Sequence, residues 1–193
     1  VSHIHTSEMI KLSPLVAQDV QYILPVYRPS QSPVSKRLSR IVVIGVLPKT
    51  TRRILRYVAE NTSIDIIHFS RTDVSIHERI NNVVGAQAEE LEKAMIQSRF
   101  AFVNNHRDRF SGIMAIALSC KTPMLMDSYQ NIRYGIPSLS YRTTKELVHR
   151  LNTISDTEYK NLHNDTSNTL STINIHFEGK LNEYVFTLLR VLN

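Results

Sequence analysis

The chain has 193 residues, 42% of them apolar and 21% charged, enough to bury a core and too apolar to stay disordered. Its single cysteine, Cys120, excludes an internal disulfide, and no Cys/His spacing of a zinc site occurs. The net charge of +6, from 23 Lys and Arg against 17 Asp and Glu, invites an anionic partner. Residues 1–38 read as a linker, since Pro25, Pro29 and Pro33 punctuate a Ser-rich stretch. The continuous apolar run Ile41–Val46 predicts a strand buried on both faces. A helix is expected over Pro48–Glu60, where Ile54, Leu55, Val58 and Ala59 share a face. Ile64–Phe69 and Ile80–Val84 read as strands, and Glu89–Ser98 as a helix with Leu91, Ala94 and Met95 inward. Phe100–Val103 predicts a strand, Phe110–Ser119 an apolar helix, Thr122–Met126 a strand and Thr143–Thr153 a helix. Residues 155–193 are polar and rich in Asn and Thr until a last amphipathic segment, Leu181–Leu192.

Strands alternating with helices over short connections mean an α/β fold, a Rossmann-like parallel sheet with helices on both faces. Ile41–Val46 belongs at its centre. Residues 39–178 form this domain. Residues 179–193 form a C-terminal helix whose Val185, Leu188 and Leu189 require a partner surface.

The charge is concentrated rather than spread. Lys36, Arg37, Arg40, Lys49, Arg52, Arg53 and Arg56 place seven cations in 21 residues without an acid. Diphosphates and phosphorylated substrates suit such a run, and so does a solvated basic face. Nucleic acid is disfavoured, because aromatic residues do not interleave with the cations as a stacking platform needs. The five glycines exclude both G-x-G-x-x-G and the P-loop, and neither H-E-x-x-H nor G-x-S-x-G occurs. No apolar run is long enough to span a membrane and no signal-peptide pattern opens the chain, so a cytoplasmic location is expected.

The stretch Asp108-Arg-Phe-Ser-Gly-Ile-Met-Ala-Ile-Ala-Leu-Ser-Cys-Lys-Thr-Pro123 resembles the signature of retaining, nucleotide-sugar-dependent glycosyltransferases of the two-Rossmann (GT-B) type, group 1 or family 4-like. In their C-terminal half that signature reads E-G-F-G-L-P-x-x-E-A-M-A-C-G-T-P. Phe110, Ala117, Cys120, Thr122 and Pro123 coincide with it. Gly45 closing the first strand, Gly85 before Glu89-Glu90-Leu91, and the segments Thr144–Val148 and Asp156–Lys160 fall in the family's order. Ile4–Ser7 through Tyr22–Arg28 resembles the end of the family's N-terminal half, which implies that residues 1–38 are a linker with the remnant of a preceding domain.

The resemblance implies the donor-binding half of such an enzyme, with the nucleotide sugar as substrate and neither a cofactor nor a metal. It implies Asp108 as the catalytic residue that orients the sugar. Gly45, Lys49, Arg52, Gly85, Phe110, Ser111, Gly112 and Ile116 are the implied donor-binding positions. Lys49 and Arg52 fall at the lip where this fold places a diphosphate. Several positions depart from the pattern. Ile116 replaces the glutamate that holds the ribose hydroxyls and makes no hydrogen bond. Arg109 and Ser111 replace loop glycines, Val46 replaces a basic residue, and Lys121 replaces the glycine before Thr122. Such losses describe an eroded donor site. Two other readings therefore stand beside the transferase half: a glycosyltransferase-like binding or assembly module without catalysis, and a nucleoside deoxyribosyltransferase-like domain. Transfer in the GT-B fold happens between two halves, so the first reading expects a missing N-terminal half or a second chain as partner, and no transfer by this chain alone.

Overall fold

Parallel strands cannot be joined by tight turns, so each strand here is followed by a crossover that lands on one face of the sheet. The structure, a computed structural model, describes residues 37–103, 112–134 and 136–171. Among them six strands build one sheet: β1 (Leu38–Ile44), β2 (Asp65–Ser70), β3 (Ile80–Val84), β4 (Ser98–Phe102), β5 (Met124–Asp127) and β6 (Ser138–Tyr141). Their order is β3-β2-β1-β4-β5-β6, and every pair is parallel. The helices are α1 (Lys49–Asn61), α2 (Ala88–Gln97), α3 (Gly112–Ser119), α4 (Ser128–Tyr134), α5 (Thr144–Thr153) and α6 over residues 156–171. The chain walks outward from β1 to β3, then returns to β4 and walks the other way. That reversal puts a topological switch point between β1 and β4, where open α/β sheets take their ligands.

β1 is central, as its apolar run predicts, and its side chains alternate between two cores. Ile41 and Val43 pack with Leu55, Val58 and Ala59 of α1 and Leu147 of α5. Val42 packs on the other face with Ala94 and Met95 of α2 and with Met114, Ala117 and Leu118 of α3. Ile41, Val42 and Val43 are all sealed from solvent, and each such burial stabilises by about 1.5–3 kcal/mol. The strand spans Leu38–Ile44 rather than Ile41–Val46, because Gly45 turns the chain out of the sheet with φ +98°. Three elements lack a sequence signal: β6, α4 and the full length of α6. The expectations for residues 1–36 and for the segment Leu181–Leu192 fall outside the described residues.

The amino edge of the sheet is closed by Arg37. Its guanidinium donates to the carbonyls of Met95 (3.3 Å), Ser98 (2.9 Å), Cys120 (3.0 Å) and Lys121 (3.2 Å) and to Thr122 Oγ1 (2.9 Å). These acceptors lie at the carboxyl ends of α2 and α3, where the helix dipoles favour a cation. α6 crosses the same edge. Its Tyr159 packs edge-on to Phe100 and donates to Arg99 O (3.1 Å), while Leu170 reaches the core of the opposite face.

Candidate functional site

At the carboxyl edge the ends of β1 and β3 diverge from β2 through two left-handed glycines. Gly45 N–H donates to Phe69 O (2.8 Å) and Gly85 N–H to Ser70 O (3.2 Å), so each glycine makes the last ladder bond before the chain turns away. Gly45 has φ +98° and Gly85 φ +71°, and a Cβ at either would meet nothing within 4 Å. Glycine is required there by backbone conformation, not by crowding. Both positions open onto free space.

After Gly45 comes Val46, 81% exposed, and then α1. Pro48 supplies no side-chain cap, and the first turn of α1 has no acidic residue. The positive end of its dipole thus meets no acidic side chain of its own first turn and stands beside the cations Lys49 and Arg52. α2 differs: Gln87 and Glu90 form a capping box, with the Glu90 carboxylate 2.9 Å from Gln87 N. α5 is likewise closed by Thr143 and carries Glu146 in its first turn.

The basic run resolves into separate jobs. Lys49 and Arg53 are exposed. Arg52 Nε donates to Leu47 O (2.9 Å), which ties the β1–α1 turn to the helix that follows. Arg56 donates to Ile76 O through Nε (3.4 Å) and Nη2 (3.2 Å), holding the β2–β3 loop. Arg37 holds the opposite edge, so only part of the run faces the lip. A sequence-level count of cations cannot separate these roles, because carbonyl acceptors leave no mark in the composition.

Gly112 begins α3, whose first turn also lacks an acid. Ile116 is half-buried and packs against the core between α3 and the sheet. Asp108, Phe110 and Ser111, like Arg109, lie outside the described residues. Cys120 is buried, and burial followed by the charge of Glu92 pushes its thiol up to about 12, so it is no nucleophile at neutral pH. Among the described residues no group of three His, Cys, Asp or Glu side chains is placed to hold a metal ion, and no helix is long and apolar enough to cross a membrane.

One polar side chain at this edge carries no sequence signal. His68 sits in β2 at 1% exposure, and its Nε2 lies 2.8 Å from Gly45 O. A carbonyl only accepts, so Nε2 bears the proton. Nδ1 is buried without a hydrogen-bond partner. In the run Ile64–Phe69 a lone histidine reads as strand filling, and only the structure reveals that it grips the turn.

Neither a protein-family model nor a curated protein matches this chain. Solved structures do match its fold. An α,α-trehalose 6-phosphate synthase from Burkholderia multivorans aligns at TM-score 0.59 and 8% identity, over 99% of this chain and 49% of that one. The E. coli trehalose-6-phosphate protein bound with UDP-2-fluoro glucose aligns at TM-score 0.58 and 13% identity, over 76% and 44%. A UDP-forming α,α-trehalose-phosphate synthase from Burkholderia xenovorans in complex with glucose-6-phosphate aligns at TM-score 0.55 and 10% identity, over 77% and 43%. The chain therefore has the fold of one half of a retaining GT-B glycosyltransferase, and it spans less than half the length of each of these proteins.

Proposed function

We propose that this chain is the nucleotide-sugar-binding half of a glycosyltransferase, acting with a second half that supplies the acceptor wall. The observation that carries the reading is the match of an all-parallel sheet to about half of enzymes of this fold, one of them bound with UDP-2-fluoro glucose. The carboxyl edge supports it: space lies open beside the Gly45 Cα, and α1 begins without a side-chain N-cap and with Lys49 at the lip. In this reading the diphosphate of the donor lies at Gly45, Lys49 and the start of α3 at Gly112, with Asp108, Phe110 and Ser111 around the sugar and Gly85 beside the nucleotide.

A second reading rests on Ile116. Its side chain packs against the core where the resembled family has a ribose-binding glutamate, and the loss of such a bond weakens binding about tenfold or more. That favours a binding module that retains the fold without turnover. Calorimetric titration with UDP, GDP and ADP separates the two. Saturable binding of one diphosphate nucleotide supports the transferase half, and no heat with any of the three supports the module.

A further inference from the structure

A buried imidazole is a costly way to fill a core, since an aliphatic side chain packs there without a polar atom to satisfy. His68 occupies such a place: 1% exposed, on the α1 face of β2, with Gly45 O as its hydrogen-bond partner and Nδ1 without one. The bond has a directional consequence. No peptide bond among the described residues is cis, so the Gly45 carbonyl and the Val46 N–H point in opposite directions across one rigid plane. The carbonyl is drawn toward β2 by His68. The Val46 N–H is thereby turned away from the His68 ring, at the carboxyl end of β1 beside the switch point. Val46 N–H donates to no group among the described residues. Gly45 N–H is held at the same time by Phe69 O at 2.8 Å, so two successive β2 residues fix both polar atoms of this glycine.

We propose that His68 is a positioning residue: its Nε2–H locks the Gly45 peptide so that the Val46 N–H stands ready at the switch point as a donor to a phosphoryl oxygen. The inference rests on the reading of this edge as a diphosphate site. It adds the group that pre-orients the site, one that never touches the ligand. Preorganisation of this kind works by removing the cost of ordering the turn at the moment of binding.

The test uses the full chain labelled with ¹⁵N and titrated with inorganic pyrophosphate and with UDP. The proposal expects the Nε2–H tautomer of His68 in long-range ¹H–¹⁵N spectra, and a downfield shift of the Val46 amide on addition of pyrophosphate. His68→Leu should bind pyrophosphate about tenfold more weakly and lose the Val46 shift, as expected when one oriented donor is lost. His68→Gln, which keeps an N–H at the end of a flat side chain, should recover much of both. Unchanged affinity and an unchanged Val46 shift in His68→Leu would overturn the proposal while leaving the diphosphate site standing. No binding of either ligand by the unsubstituted chain would overturn the site itself, and the positioning role with it. Should His68→Leu fail to fold, an Nδ1–H tautomer in the unsubstituted chain would be enough to reject the role.

Discussion

Lys121 adopts φ +53° at the end of α3, the one left-handed residue besides glycine among the described residues. Its N–H donates to Leu118 O (3.0 Å) and the Thr122 N–H to Ala117 O (2.8 Å), the paired bonds of a Schellman ending. This conformation favours glycine, because a Cβ there crowds the following carbonyl. Lys121→Gly should therefore raise stability by roughly 0.5–1 kcal/mol, read as a higher urea midpoint. A lower midpoint would mean that the cation at the helix end outweighs the relief of strain. A second residue reports on pH. Burial, then the neighbouring charges of Arg37 and Lys121, hold the His163 imidazole below its usual range. The unfolded chain thus binds the proton more readily than the fold does, so stability rises with pH across this window. His163 contributes fully above about pH 6.5 and loses that contribution as pH falls through its depressed value. Urea midpoints taken from pH 7.5 down to 5 should fall less steeply in His163→Gln than in the unsubstituted chain.

At the scale of elements, α2 and α3 end on a shared cation. Arg37 serves four carbonyls and a hydroxyl with one planar fork, a geometry that a lysine cannot reproduce. Arg37→Met should cost about 3 kcal/mol or more, since it leaves buried carbonyls without donors, and Arg37→Lys should recover only part of that. Equal midpoints for Arg37→Met and the unsubstituted chain would mean that water serves these carbonyls as well. The contrast between β1 and β6 explains what the sequence reveals. Ile41–Val43 is buried on both faces and announces itself as an unbroken apolar run. Ser138-Leu-Ser-Tyr141 is an edge strand with two apolar residues, too few to set a period. α6 escapes notice for a related reason: it buries Thr166 and Leu170 and leaves most of its length polar and exposed. The carboxyl-edge glycines are legible because their type is rare in this chain, but His68 and Arg52 act through backbone carbonyls, which no residue pattern encodes.

For the molecule as a whole, the chain spans less than half the length of each of the synthases whose fold it shares. The reading proposed above then expects donor binding without transfer: with radiolabelled nucleotide sugar, this chain alone should bind label and pass none to an acceptor. Turnover by a monodisperse monomer would refute the need for a second half. The two edges of the sheet also differ in how far along the chain their fastenings reach. His68 and Gly45 are 23 residues apart, whereas Arg37 is bound to Met95, Cys120 and His163 across 58, 83 and 126 residues. A ribosome extends a chain at about 5–20 residues per second. The turn at Gly45 can close within seconds of its synthesis, but the Arg37 guanidinium gains its partners only as Met95, Cys120 and His163 emerge in turn. During synthesis the carboxyl edge takes shape first, and the newborn β1 stays open at its start until its more distant partners arrive.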